Sequence, residues 1–359
     1  MPKTVMPFGP QHPVLPEPIH LTLVLEDDIV QEVLPNIGYC HRGIEKGCER
    51  NAYWKNPRLV EHVCGIRNFM HAQAYCEAVE KALEMEVPPR AKYLRVIWAE
   101  LNRIRSHLLW LGLLADAFGF ESLFMQFWRI REKSVFLIEK TTGNRIIFST
   151  CVVGGVNKDI PNDYLRGEFT KVLKEIKAEV EELLPVLLKD PTVKARCVGK
   201  GVLSKEDAHK LGAVGPTARG SGLRQDMRLT GHAAYGELDF EPVVEPDGDS
   251  YARALVRAKE VLQSIELILE AIGKIPDTEI FIKPDHWPEK EAFSRIEQPR
   301  GELTYYVKGN GTRYLERCKI RTPTFANIPP LLAMLPGCEM ADVPIITLSI
   351  DPCIACTER

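Results

Sequence analysis

Residues 57–141 constrain this chain more than any other stretch, because they ask for three long helices in immediate succession. Leu59, Val60, Val63, Ile66 and Met70 recur at helical spacing, and Tyr75, Ala78 and Leu83 prolong the pattern. Val87-Pro88-Pro89 stops it, since proline lacks the amide proton and crowds the preceding turn. Leu94, Ile97, Trp98, Leu101, Ile104, Leu108 and Leu111 form one stripe of a second helix over about residues 91–117, and a third covers about 123–141. Helices of this length in sequence bury their stripes against one another, which predicts a helical bundle as the main core.

Shorter signals surround the bundle. Residues 19–25 and 29–34 read as a β-hairpin across the acidic turn Glu26-Asp27-Asp28. Residues 146–153 read as a strand ending in Gly154-Gly155. Residues 162–188 and 251–272 are further helices, the first with interleaved Lys and Glu as on a solvated face. Residues 281–282, 303–307 and 345–350 are strand-like. The expected fold class is α+β, mainly helical, as one domain over 1–359. It has an N-terminal β region (1–50), a helical core (55–275) and a mixed α/β C-terminal region (276–359).

Composition excludes several classes. An apolar fraction of 45% with 26% charged residues is that of a globular chain with a substantial core. A net charge of -3 gives no basic stripe for nucleic acid. Ten cysteines in 359 residues are not a small secreted disulfide scaffold. No signal peptide opens the sequence, and its most apolar stretch, 108–115, is broken by Asp116 and too short to span a bilayer. The expected setting is cytoplasmic, with thiols reduced and any membrane attachment supplied by partners.

Three stretches carry chemistry. The tail Asp351-Pro352-Cys353-Ile354-Ala355-Cys356 holds a CxxC pair, which can chelate a metal, form a redox disulfide or be a plain reduced tail. Cys64 lies within the first helical run beside Gly65, a glycine that predicts close packing there. Cys40, Cys48, Cys76, Cys151, Cys197, Cys318 and Cys338 have no motif and are expected to be buried free thiols. Glycines between 199 and 222, with Arg219, Arg224 and Arg228 among and after them, match no phosphate-binding pattern and predict tight turns. His12, in a proline-punctuated loop, is expected at a surface or turn.

Taken in order, these motifs resemble a known family. Gly9-Pro10-Gln11-His12-Pro13, Arg42-Gly43-Ile44-Glu45, Cys64-Gly65-Ile66 with His71, and Glu100-Leu101-Asn102-Arg103-Ile104 with Ser106-His107-Leu108 come first. Gly215-Pro216 with Arg219, Ser221, Gly222, Asp226 and Arg228, then Pro299-Arg300-Gly301-Glu302-Leu303 and the CxxC tail, complete the set. The chain resembles the large subunit of nickel–iron hydrogenases, in the membrane-bound, energy-converting branch (group 4) related to the quinone-site subunit of respiratory complex I.

That resemblance implies a site. In the family two CxxC motifs give four thiolates to nickel and iron, and Cys64, Cys353 and Cys356 match three of them. Arg67 stands at the fourth. A guanidinium is a permanent cation with donors only, so it cannot ligate a metal. Glu45 matches the family's proton-relay glutamate near a terminal thiolate, Arg300 the arginine over the metal, and Asp351 the acid before the tail thiols. His71 joins them as a candidate. The departure at Arg67 resembles the sulfane (polysulfide) reductase branch, with Cys64, Arg67, Arg300, Cys353 and Cys356 lining a cavity. No cofactor is then expected in this chain, and electrons would come from 4Fe-4S clusters on partner subunits.

The alternatives are a nickel–iron hydrogenase with three thiolates and a metal-free coupling subunit like that of complex I. Family members lose a C-terminal extension after a basic residue near this point, and an end at Arg359 resembles that mature form. The implied partners are a small iron–sulfur subunit carrying the proximal 4Fe-4S cluster, other hydrophilic-arm subunits, ion-pumping membrane subunits, and ferredoxin as donor. The implied location is a peripheral arm on the cytoplasmic side of the membrane.

Overall fold

The computed structural model describes residues 3–15 and 17–359. Its centre is the helix Pro89–Ala117, which starts with Pro89 at its first turn, where the missing amide proton costs nothing. This helix is buried on nearly all sides. The apolar stripe led by Leu94, Trp98 and Leu101 packs the bundle, while Glu100, Arg103 and His107 are enclosed as well. The helices Asn68–Ala82, Glu121–Thr142, Thr170–Leu188 and Ser250–Lys274 complete the bundle. Asp249 caps the last of these by accepting from the amide of Ala252 at 2.7 Å and from that of Gly199 at 2.8 Å.

The predicted hairpin is the second half of a three-stranded antiparallel sheet, β1 (Lys3–Phe8), β2 (His20–Glu26) and β3 (Ile29–Asn36). β1 escapes sequence reading because it is mostly exposed and lacks clean alternation. Leu21, Leu23 and Leu25 of β2 face a smaller core shared with Leu331, Val343 and Ile346. β4 (Cys151–Val152) and β5 (Gly155–Val156) form the strand-turn after the third long helix. A second three-stranded sheet, β6 (Glu291–Gln298), β7 (Gly301–Gly309) and β8 (Leu315–Arg321), packs on the helix Asn68–Ala82. Its turn carries Arg300.

Several expectations need correction. The first helical run is not continuous: helix Asn56–Glu61 ends, a loop carries Cys64, and a new helix begins at Asn68. Gly65 in that loop is exposed, and an added Cβ would meet nothing within 4 Å, so close packing is not its role. Residues 345–349 fall in a helix, Val343–Ser349, with Ile350 at its C-terminal cap, because a short apolar run has no periodicity to separate helix from strand. Of residues 281–282 only Phe281 makes a β-bridge, to Gly155. Cys40 and Cys338 are half-buried rather than buried. The turn reading of Gly199, Gly201, Gly212, Gly215 and Gly222 holds, since all five have positive φ.

The arginines of the glycine-rich segment do something the sequence does not show. Arg219 and Arg228 project into the bundle and meet Arg103, Glu100, Asp226, Glu260 and Glu297, all nearly or wholly buried. Arg219 pairs with Glu260 and Glu297, each at 2.7 Å, and with Asp226 at 3.1 Å. Arg228 pairs with Asp226 at 2.8 Å, and Arg103 with Glu100 at 3.1 Å. Four carboxylates face three guanidiniums, so one acid is left short of positive charge. It is Glu297. Burial and the neighbouring Asp226 push it up to about 7, whereas the arginines overcome burial and hold Asp226 and Glu260 low.

This has a measurable sign. Between pH 4.5 and 7 the native state keeps a proton on Glu297 that the unfolded chain has released. Its contribution to stability is therefore complete below pH 4.5 and is lost as pH rises through 7. Glu297→Gln is expected to start from a lower midpoint, because an amide cannot accept from both Arg219 and the Met227 amide as the carboxyl does. Its melting midpoint should fall less between pH 4.5 and 7 than that of the unsubstituted chain, as thermal melts across that range would show. Parallel curves for the two proteins contradict the assignment.

Candidate active site

Two short turns carry the three thiols, and both are built alike. Cys353 caps the helix Ile354–Glu358, its sulfur accepting from the amide of Cys356 at 3.4 Å. Cys64 accepts from the amide of Arg67 at 3.3 Å, the same three-residue reach, just before the helix Asn68–Ala82. The chain enters the tail turn through Asp351 at φ 55°, a left-handed conformation that aspartate tolerates better than most residues.

Neighbouring elements hold these turns. Asn102 and Arg105 of the central helix donate to the carbonyl of Ile66, and Ser106 accepts from Arg67 Nε at 2.6 Å. The Cys353 amide donates to Thr324 Oγ1 at 3.2 Å, and Thr322 Oγ1 donates to the Cys356 carbonyl at 3.0 Å. Arg42 staples one turn to the other by donating to the carbonyls of Val63, at 3.2 Å, and Ala355, at 3.1 Å.

The result is a compact sulfur cluster. The Sγ atoms of Cys64, Cys353 and Cys356 all lie within 4.8 Å of one another, and each residue is at most 1% exposed. Cys353 Sγ is 3.8 Å from Cys64 Sγ. Hydrogen bonds from Cys353 and Cys356, helped by the charges of Arg300 and Arg67, draw Cys64 well below the usual thiol range. Burial, and the thiolate they face, push Cys353 and Cys356 well above it. Of the three sulfurs, Cys64 is the one whose ionised form the surroundings favour.

Asp351 organises the cations. Arg300 donates to Asp351 Oδ1 at 2.9 Å and lies 3.7 Å from Cys64 Sγ, while Arg67 donates to the other oxygen, Oδ2. The Arg67 side chain makes no hydrogen bond to any of the three sulfurs. It is bonded to Asp351 and Ser106, and its Nη1 is buried without a partner. His71 Nε2 is 3.8 Å from Cys356 Sγ, and its Nδ1 is 2.8 Å from the Tyr305 hydroxyl. Burial pushes His71 down to about 4, so the ring is neutral.

Seven of the eight candidate residues thus converge: Cys64, Arg67, His71, Arg300, Asp351, Cys353 and Cys356. The five expected to line a cavity are instead packed in contact and buried. Glu45 does not join them. Its carboxylate accepts from the Ile320 amide and pairs with Arg359 and Lys319, which outweigh burial and lower its pKa.

Glu17, which sequence reading passed over, accepts from Cys353 Sγ at 3.2 Å and from the Ala355 amide at 2.7 Å. It lies 336 positions from Cys353, in a proline-flanked loop with no periodic signal. Glu17 also lines an open cavity of about 430 Å³ with Gln11, His12 and Leu15. His12 is therefore a wall of a cavity that also includes Glu17, the acceptor for Cys353.

The donor set can be tested against the metal centre that the resemblance implies. Three sulfurs are close enough to share one ion. A four-thiolate nickel–iron cradle does not fit, because its fourth position holds a buried guanidinium committed to Asp351.

Comparison with known proteins agrees with this architecture. The family described as "Respiratory-chain NADH dehydrogenase, 49 Kd subunit" matches residues 117–287 and 279–359, and "Nickel-dependent hydrogenase" matches residues 42–116. The carbon monoxide-induced hydrogenase of Rhodospirillum rubrum is 40% identical over 359 residues, covering 99% of both chains. The membrane-bound hydrogenase subunit alpha of Pyrococcus furiosus is 37% identical, over 99% of this chain and 87% of the relative. An NADH-quinone oxidoreductase subunit of Chloroherpeton thalassium is 34% identical, over 97% of this chain and 86% of the relative. Among the described residues no helix is long and apolar enough to cross a membrane. Matched along nearly its whole length by relatives 34–40% identical, this chain belongs to the family that unites the large subunits of membrane-bound nickel-dependent hydrogenases with the 49 kDa subunit of respiratory-chain NADH dehydrogenase.

Proposed function

We propose that this chain is the catalytic subunit of a membrane-bound, ferredoxin-driven, ion-pumping complex that reduces sulfane sulfur of polysulfide at its three thiols. The observation that carries this reading is Arg67, a buried cation in place of the fourth thiolate, paired to Asp351 beside Arg300. Two guanidiniums next to a thiolate favour an anionic substrate and the charge that develops as an S–S bond breaks.

The chemistry balances with these residues. The Cys64 thiolate attacks a terminal sulfur of the polysulfide, forming a Cys64 persulfide and releasing a polysulfide one atom shorter. Cys353, with Glu17 on its proton, attacks the Cys64 sulfur, expelling HS⁻ and leaving a Cys64–Cys353 disulfide. The two sulfurs stand 3.8 Å apart, so the disulfide would form between immediate neighbours. Two electrons from an iron–sulfur partner subunit and one proton restore the thiolate and the thiol. In this reading polysulfide arrives through the cavity of Gln11, His12 and Glu17, and the chain sits in a peripheral arm at the cytoplasmic face of the membrane.

A second reading is a hydrogenase with a three-thiolate centre. Two observations favour it: relatives named as hydrogenases, and an Arg67 side chain that leaves the sulfurs free of its own hydrogen bonds. Purified complex separates the two. Sulfide formation from polysulfide with far less than one nickel per chain is expected. Nickel near one per chain, hydrogen evolution, and infrared bands of cyanide and carbonyl on iron would overturn the proposal.

A further inference from the structure

One feature of the bundle has no part in the thiol chemistry. From the sulfur cluster a file of aromatic side chains runs to the surface, joined ring to ring except between Tyr75 and Tyr53, where a hydrogen bond to the Tyr53 backbone carbonyl makes the link. His71, 3.8 Å from Cys356 Sγ, holds the Tyr305 hydroxyl at 2.8 Å, and the two rings lie 5.9 Å apart. Tyr305 meets Tyr75 edge-on at 6.2 Å between centroids. The Tyr75 hydroxyl donates to the Tyr53 carbonyl at 3.0 Å. The Tyr53 ring is 5.2 Å from Trp54 and 6.2 Å from Trp287, and these two indoles stack at 5.7 Å.

His71, Tyr305 and Tyr75 are wholly buried and Tyr53 nearly so, whereas Trp54 and Trp287 are 44% and 47% exposed. The indoles wall an apolar cavity of about 710 Å³ that opens to solvent.

Packing alone does not account for this file. Phenylalanine would make the same edge-on aromatic contacts equally well. Tyrosine adds buried hydroxyls that must find partners. Here Tyr75 takes Asn56 and the Tyr53 carbonyl, and Tyr305 takes the imidazole that touches Cys356. Nor does packing require two large indoles half out in water. What the residue types share is that each can lose one electron to a strong oxidant. None does so at the low potentials of reductive turnover, so the file is silent in normal work.

We propose that Tyr305, Tyr75, Tyr53 and the Trp54–Trp287 pair are a hole-transfer path that drains oxidising equivalents from the thiol cluster to the surface. When an oxygen-derived radical takes one electron from the Cys64 thiolate, the thiyl radical is refilled by an electron from Tyr305. The phenol proton shifts along its hydrogen bond to His71 and returns when Tyr75 passes on an electron. Tyr75 and Tyr53 relay the deficit to the indole pair. There the indole cation radical gives its N–H proton to water, and the neutral radical takes a hydrogen atom from a soluble low-molecular-weight thiol. The thiolate is restored before it climbs to sulfinic acid, a state that ordinary thiols do not reverse. The path depends only on the thiols and the rings, so it stands whether the site reduces polysulfide or protons.

The path can be driven in reverse from its outer end. In the purified complex, a flash-generated ruthenium(III) polypyridyl oxidant in solution will oxidise exposed indoles. The expected result is a tryptophan radical that decays quickly as a tyrosyl radical appears, followed by loss of titratable thiol at the cluster. Tyr75→Phe should abolish the fast decay and spare the thiols. Phenylalanine at both Trp54 and Trp287 tests the same idea at exposed positions where folding is not at stake, and should also spare the thiols. Trp128→Phe, at an exposed indole outside the file, should leave the fast decay and the thiol loss unchanged. Unaltered radical decay and thiol loss in the Tyr75 variant and the double indole variant would overturn the proposal.

Discussion

Arg67→Lys is expected to cut turnover by about 10²–10³-fold, the usual cost of losing one aimed donor of charge at a reacting centre. A lysine reaching this point can bond Asp351 or Ser106, but it lacks the planar fork that holds both at once. The stability effect should stay small, because one ammonium still faces the carboxylate.

Arg67→Ala goes further. It strips Asp351 Oδ2 of its donor while Arg300 still pairs with Oδ1, a defect of about 1–3 kcal/mol. Arg67→Cys asks a different question, since it supplies the missing thiolate in the turn that already presents Cys64. Rates and denaturation midpoints read the first two variants, and elemental analysis of the purified complex reads the third. Wild-type turnover in Arg67→Lys would show that the guanidinium is a spectator.

The largest stability effect is expected at a distance from the thiols. Arg219→Met removes the cation that Glu260, Glu297 and Asp226 share, in a region with no access to water. Breaking one buried ion pair by deleting one partner costs about 3–5 kcal/mol. Three carboxylates lose a partner here, and Arg103 and Arg228 cannot move to cover all of them. We expect little soluble, folded chain, with a midpoint in urea far below the parent where any is recovered. A folded Arg219→Met chain of near-parent stability would mean that the acids take up protons in place of the arginine.

Much of the fold is legible in the residues themselves. The bundle follows from the 3.6-residue period of its apolar stripes, which survives whatever the helices pack against. The thiols, Arg67, Arg300 and Asp351 are legible as an ordered set of motifs. The break at Cys64 is not, because the apolar spacing of Val63, Ile66 and Met70 continues across a turn whose cause is a sulfur accepting an amide proton. Motif alone would set Glu45 among the thiols, yet the nearer partners Arg359, Lys319 and the Ile320 amide hold it elsewhere.

The sequence by itself determined the period, the composition of the core and the placing of an arginine three residues after Cys64. Those are properties of residue type and spacing. Tertiary structure alone decided which distant groups share a charge or a proton: Glu17 on Cys353, Arg67 on Asp351, Arg219 among three acids, Tyr305 on His71. The reason is physical. A hydrogen bond or buried ion pair depends on a few tenths of an ångström between side chains hundreds of residues apart. The closing CxxC makes the point, since its sulfurs become a cluster only where Arg42 and the central helix bring Cys64 to them.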